Sequence, residues 1–580
     1  MNTAPDPATL EVLRNSFPAI CNEMSAILRR TAHNMMIYEI RDYSCALVNE
    51  KGEIISQNIG GVSHFIADLG VVVKDALQRY EGKIYEGDVF ITNSQQVCGQ
   101  HLNNILVYTP FFYKDELLGF SMVRAHWIDV GGLSTGWGAS YKVLDPWMEG
   151  LQLDQLKLYE KGNLDRKLLK IIMDNIRYPQ FSKGDLNSQI SACKFGLRRL
   201  QELFDKYGVA TVRKAIEIIF DQTEQRCRAV VDKIPDGTYE AESFWDHDGY
   251  DRDQPLRIHV SVVVDGSDMT IDFTGTAAQR RGSINSRTLA AGRIAYKALT
   301  TPLEPINEGD FRALKVIVPE GSVMMARFPA PMSAWSAIIP TAVDTVFKSL
   351  APALKDRIPA AHHGTLGSPI TFFGLNPLTG RPFIAQSLEG GGWGGRPHED
   401  GESAALSICQ GDVRNASVEA MEMKTPIIVV ERKLVTDSGG PGKFRGGLAV
   451  QVRVRPLADG YWNLQRPGKF KFPPWGLWDG MSGAPPEYLV KTPNDDSYQS
   501  VDDDLVWLPT QSEVIIRSAG GGGWGDPLER DPEKVAIDVK EGYVSVESAR
   551  RVYGVVLKDD GTVDYVSTEK LRLQMRKRGR

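Results

Sequence analysis

Residues 87–130 read GDVFITNSQQVCGQHLNNILVYTPFFYKDELLGFSMVRAHWIDV, and three runs within them have the composition of β-strands: 87–92, 104–113 and 119–130. Valine, isoleucine, phenylalanine and tyrosine dominate these runs, and such side chains suit a pleated, half-buried surface. The polar segments between them are short, so neighbouring runs are expected to pair. His101 and His126 terminate consecutive stretches, and pairing would bring them close in space. They are two of only nine histidines in 580 residues.

Working outward, YSCALVNEKGEIISQ (43–57) sets two apolar runs around a Glu-Lys-Gly turn and predicts a hairpin. Before it, Leu10, Leu13, Phe17, Ile20, Met24, Ile27 and Leu28 recur at spacings of three and four, a helical stripe over residues 7–40 that Pro18 can kink. A further helix is expected near 65–80, and residues 153–235 are helix-rich. RIHVSVVVDGSDMTIDFTG (257–275) alternates about a glycine turn and reads as a β-hairpin. Beyond it the chain is Gly- and Pro-rich with short strands, clearest over 433–456. Two helices, 532–542 and 545–554, precede a basic tail that reads as a solvated helix end.

Bulk composition narrows the function class. The chain is 42% hydrophobic and 24% charged, with ample material for buried cores, and its formal net charge of −6 does not point to nucleic acid. Six scattered cysteines without a CxxC pair fit free thiols in a reducing compartment. No basic-then-apolar leader is evident, and no apolar run approaches the roughly 18 residues of a membrane span. A cytoplasmic protein that engages neither membrane nor nucleic acid is expected.

Motifs for nucleotide binding are missing. GGPGKF (439–444) has the wrong spacing for a phosphate loop and lacks a following Ser or Thr. The glycine clusters at 389–395, 438–447 and 519–526 suit tight turns or close backbone packing, and alternatively an anion cradle of N–H groups. No G-x-S-x-G elbow supports a serine hydrolase, and Cys98, three residues before His101, is a loose candidate for a nucleophile or a ligand. His101 and His126 with the carboxylates Asp42 and Asp129 form the most informative set, since imidazole with carboxylate suits Zn²⁺ or Mn²⁺. His64, after GGVS and before an apolar helix, reads either as a residue near a helix start or as part of a site. His362 and His363 sit in a loop with no role evident.

At these residues the sequence resembles the hydantoinase B/oxoprolinase family. RDYSCALVNEKGEIISQ (41–57), GDVFITNSQQVCGQHLNN (87–104) and RAHWIDVGG (124–132) match family blocks. Blocks at 271–286, 389–404, 411–427, 436–450 and 519–557 follow in order. The resemblance implies a large mixed α/β, multidomain subunit, helix-rich at the N-terminus and β- and Gly-rich beyond. It divides into an N-terminal metal-binding domain (1–235), a β-rich middle domain (236–345), a Gly-rich mixed segment (346–430) and a C-terminal β-rich domain with terminal helices (431–580).

The resemblance also implies chemistry. Asp42, His101 and His126 fall on the family's metal-ligand positions, with Asn104 as a weaker fourth ligand where the family has Asp. The family's NDPYxGG is NSQQVCG here, and its second consecutive histidine is Trp127. Asp129 is expected to orient His126 and His64 to carry a proton. A hydantoinase A-type subunit would bind ATP and Mg, in an (αβ)2 or larger assembly. The expected reaction is hydrolysis of a cyclic amide of hydantoin, lactam or oxoproline type. The alternatives are carboxylation of a ketone with bicarbonate, for which Trp127 and Trp147 would line an apolar pocket, and a scaffold subunit with a degenerate site.

Overall fold

The structure is a computed structural model and describes residues 5–133, 135, 142–464, 468–501 and 505–578. It is a mixed α/β architecture with four sheets among the described residues. The first sheet contains β1 (Tyr43–Asn49), β2 (Ile54–Gln57), β3 (Val89–Thr92), β4 (Asn104–Tyr113), β5 (Glu116–His126), β6 (Leu156–Glu160) and β7 (Asn163–Leu164). Their order is β2-β1-β5-β4-β3-β6-β7, and every neighbouring pair is antiparallel. The expected hairpin and the three expected strands all lie in this sheet, the hairpin as β1–β2.

All seven residues of β1 are buried, because the sheet is covered on both faces. Side chains alternate between faces along a strand, and here the alternation divides two cores. Tyr43, Cys45, Leu47, Ile105, Val107, Val123 and Ala125 pack with the helices Pro7–Thr31, Pro179–Tyr207 and Val209–Val231. Ala46, Val48, Leu106, Tyr108, Phe120 and Met122 face the other way. The helical stripe predicted over 7–40 ends at Thr31, and Pro18 lies inside that helix rather than ending it. A separate turn, Met35–Tyr38, is capped by the Asn34 side chain.

The second core is closed by the middle sheet, β8 (Gly237–Trp245), β9 (Leu256–Asp265), β10 (Asp268–Asp272) and β11 (Leu314–Ile317), ordered β11-β10-β9-β8. The β9–β10 pair is the hairpin expected over 257–275. Leu256, Ile258, Val260, Val262 and Val264 turn inward, and the helices Ala290–Thr300 and Ile339–Leu350 complete the layer. Members of this core come from both sides of residues 235 and 345, between Met36 and Ala416. The segments expected on either side of 235 and 345 pack against one another in it.

The two remaining sheets share a core that includes Ile370, Phe372, Val452, Val454, Trp462 and Ile516. Beside them the glycine clusters form a nest of main chains. Gly447 N–H donates to the Trp393 carbonyl, Gly521 N–H to Gly447, Gly440 N–H to Gly521 and Gly395 N–H to Gly522, all at 2.8–3.0 Å. Of the two readings of these clusters, close backbone packing holds. The donors that would cradle an anion are already spent on neighbouring carbonyls.

Candidate functional site

Strand alternation and register place the candidate residues. Asn104 pairs directly with His126 across β4 and β5. Tyr43 pairs with Ala125 across β1 and β5, and the next position outward sets Asp42 beside His126, whose N–H donates to the Asp42 carbonyl at 3.1 Å. Asp42, His126 and Asn104 thus form one row across three adjacent strands. Directly opposed residues share a face, and this row faces the middle sheet rather than the helices.

His101 precedes β4 and its ring meets His126 edge to face, with centroids 4.9 Å apart. Asn104 donates its Nδ2 to Gln100 Oε1 at 2.8 Å, which leaves Oδ1 as a buried acceptor without a partner among the described residues. The amide is thereby oriented with its ligand-type atom toward His101. His64 lies in the turn Ser63–Phe65, and Trp335 packs edge-on against both His64 (4.7 Å) and His101 (6.2 Å).

Burial sets the electrostatics. His101 is pushed down to about 4, and His64 and His126 well below the ordinary histidine value, because water is excluded from their charged forms. All three rings are neutral at physiological pH, the state in which imidazole ligates a metal. Asp42 is raised from 3.8 to about 7 by burial alone, with no hydrogen bond to its carboxylate among the described residues to oppose the shift. A buried carboxylate without a partner is costly unless it is paired or coordinates a cation. Among the described residues no three His, Cys, Asp or Glu groups stand close enough to hold an ion by themselves. The donor chemistry that fits a divalent ion is the two imidazoles with the Asn104 oxygen, and Asp42 next in the row.

Comparison with known proteins places the chain in a family. The family model for hydantoinase B/oxoprolinase matches residues 6–527. The chain belongs to the hydantoinase B/oxoprolinase family. It is 33% identical to the B component of a putative D-/L-hydantoinase from Pseudomonas sp. (strain NS671), with 98% of each chain covered. The crystal structure of the ATP-dependent caprolactamase from Pseudomonas jessenii superposes with a TM-score of 0.90 at 27% identity, covering 98% of this chain and 100% of that one. A nucleotide-free acetone carboxylase structure also reaches a TM-score of 0.90 at 19% identity, over 99% and 83% of the chains, a likeness of fold. Among the described residues no helix is long and apolar enough to cross a membrane.

Several candidates in this hydantoinase B-type chain have other partners. Asp129, expected to orient His126, instead accepts from Arg177 Nη1 (2.6 Å), Arg177 N (2.7 Å) and Gly131 N (3.1 Å). The glycine turn after it folds the carboxylate toward the helical side, where a guanidinium waits. Cys98 receives the Arg124 Nη2 donor at 2.7 Å and its thiol is raised by burial, so it is no ready nucleophile. Trp127, next to His126, falls on the opposite face of the chain and donates its Nε1 to Gln189 in the helical layer at 2.8 Å. It is buried in the helical-side core, and Trp147 is 64% exposed against Phe328. His362 is paired with Asp344 at 2.5 Å, in the region of the glycine nest.

Sequence reasoning missed Glu149, Gln100, Arg124, Asp68 and Trp335. Arg124 is the one with a legible signal, since it stands two positions before His126 and must share its face. Asp68 accepts from Gln100 Nε2 (2.5 Å) and Thr288 Oγ1 (3.1 Å) and lies 3.7 Å from Arg124 Nη1. This chain of contacts holds Gln100, and through it the Asn104 amide. Glu149 accepts from Met332 N–H at 2.5 Å and from Gln95 Nε2 at 2.7 Å, tying the segment that carries Trp335 to the first sheet.

Burial raises the Glu149 carboxyl from 4.5 to about 8, against the pull of those hydrogen bonds. Between about pH 4.5 and pH 8 the folded chain therefore keeps a proton that the unfolded chain has lost, and stability falls as pH rises through this window. Glu149→Gln is expected to flatten that dependence and to melt higher than the parent at pH 8. Melting curves across the pH range check this, and an unchanged slope in the variant refutes it.

Proposed function

We propose that this chain is the metal-holding subunit of an ATP-dependent enzyme that hydrolyses a cyclic amide of hydantoin, lactam or oxoproline type. The observation that carries the reading is the buried row of Asp42, His126 and Asn104 with His101 against it. The names of the relatives, a hydantoinase component and an ATP-dependent caprolactamase, support the substrate class. With no phosphate-loop motif in this chain, ATP and Mg belong to a partner of hydantoinase A type, in an (αβ)2 or larger complex. For the ketone-carboxylase alternative, with bicarbonate as co-substrate, Trp127 gives no support, since it is buried on the face away from the histidines.

His101, His126 and the Asn104 oxygen would hold a zinc or manganese ion, with Asp42 supplying the negative charge. When bound, such an ion supplies Lewis acidity, polarising a carbonyl and acidifying water. The residues around it set the conditions. The two rings are kept neutral by burial, Gln100 fixes the direction of the Asn104 amide, and Trp335 excludes water from His64 and His101. His64, its Nδ1 buried and without a hydrogen-bond partner, would take a proton at that atom only against the cost of burial, from a substrate group that donates to it directly.

The test is to purify the chain with its ATP-binding partner, measure bound metal, and assay ATP hydrolysis over hydantoins, lactams and 5-oxoproline. A metal-free complex that turns over these substrates would falsify the proposal. Asn104→Asp adds the charge that the amide lacks. It is expected to tighten divalent-ion binding about tenfold, since affinity at such sites follows the ligand charge count. Competition against a chelator of known affinity measures this, and equal or weaker binding counts against Asn104 as a ligand.

A further inference from the structure

A cavity of about 350 Å³ lies on the far side of His126, between the turn Met35–Tyr38, the start of the helix Pro179–Tyr207 and the strand Pro382–Glu389. Its walls are mainly apolar, with Ile128, Tyr178 and Ile384 among them, and no acidic side chain lines it. Two donors face it. Lys424, in the last turn of the helix Val418–Lys424, has its ammonium 4.6 Å over the Tyr38 ring and donates to the Tyr38 hydroxyl. Its partner is this tyrosine, and among the described residues no carboxylate pairs with it. Gln386 shares the strand face of Pro382 and Ile384, opposite the face on which Phe383 and Ala385 enter the core. It is 6% exposed, and its Nε2 is buried without a hydrogen-bond partner.

An unpartnered buried amide N–H₂ costs free energy unless an acceptor completes it. An apolar chamber with one cation and one unsatisfied donor, and no acid, suits an anion on a small apolar body. We propose that this cavity binds a small aromatic or alicyclic monocarboxylate, the ring among Ile128, Tyr178 and Ile384 and the carboxylate between Lys424 Nζ and Gln386 Nε2. The site is separate from the candidate metal centre but not remote from it. Asn34, in its wall, donates Nδ2 to the His126 carbonyl at 3.2 Å.

The test uses the full chain and para-fluorobenzoate, followed by fluorine NMR. Saturable binding is expected. It should weaken about tenfold or more in Lys424→Met, and by a similar factor when the neutral para-fluorobenzamide replaces the acid, as loss of a charge-assisted hydrogen bond implies. Lys424 is exposed, so that variant keeps its fold, and its melting point confirms this. Gln386→Leu should weaken binding several-fold, and His101→Ala should leave it unchanged. Absence of saturable binding, equal affinity for acid and amide, undiminished binding to Lys424→Met, or loss in His101→Ala each overturns the proposal. The last outcome would move the ligand to the histidine site and leave the proposed function standing.

Discussion

His101→Ala is expected to lower turnover of the assembled complex by about 1000-fold or more and to remove most of its bound divalent ion. Lewis-acid stabilisation of a developing oxyanion is worth several kcal/mol, and each ~1.4 kcal/mol is a factor of ten in rate, so losing about 4 kcal/mol gives that figure. The structure offers no substitute at this position. The His101 ring is the one set against His126 at 4.9 Å, and Cys98 nearby is committed to Arg124. The substitution removes a side chain that sits at the rim of the buried set rather than in the hydrophobic core, so the variant should fold, and circular dichroism with a melting curve verifies that. Metal content and steady-state rates on the same preparation then decide. A folded variant that retains stoichiometric metal and full rate would end the catalytic reading of this row.

The largest stability effect is expected from Gly447→Ala. A Cβ built on Gly447 would lie 1.8 Å from the Glu402 carbonyl oxygen, with the Trp393 nitrogen at 2.9 Å. Both obstacles are main chain, and both belong to strands of the glycine nest fixed by hydrogen bonds: Gly447 N–H to Trp393 and Gly521 N–H to Gly447. Rotamer change cannot relieve such an overlap. The nest must open, breaking several backbone hydrogen bonds in a buried region where unmade bonds are expensive. A loss of about 4–5 kcal/mol or more is expected, at the extreme of single-substitution effects. Gly561→Ala is the control. Gly561 has φ +82° and open space about it, so only left-handed backbone strain of about 1–2 kcal/mol applies. Urea unfolding of both variants measures the contrast. Equal, small losses would show that the nest can breathe.

The first sheet was legible because alternation is a local property. Runs rich in β-branched and aromatic residues mark 104–113 as a strand, and β4 occupies those residues. The helix near 65–80 appears as Leu69–Arg79 for a similar reason, its apolar residues falling on one side. The strands Leu156–Glu160 and Asn163–Leu164 were not legible, since they are short and only partly buried, at the sheet edge, within a helix-rich stretch. The role expected of Asp129 failed on a long-range fact. Arg177, 48 positions away, reaches its carboxylate first.

By itself the amino-acid order determined family membership, the strands of the first sheet, and which of their residues share a face. These follow from side-chain chemistry and a two-residue period that operate over a few positions. Only the tertiary structure decided that Asp42, His126 and Asn104 stand in one row, that Trp335 packs against His64 and His101, and that three glycine clusters meet main chain to main chain. Those facts depend on register and on contacts between segments tens to hundreds of residues apart, where packing and hydrogen-bond satisfaction choose the partner and local pattern is silent.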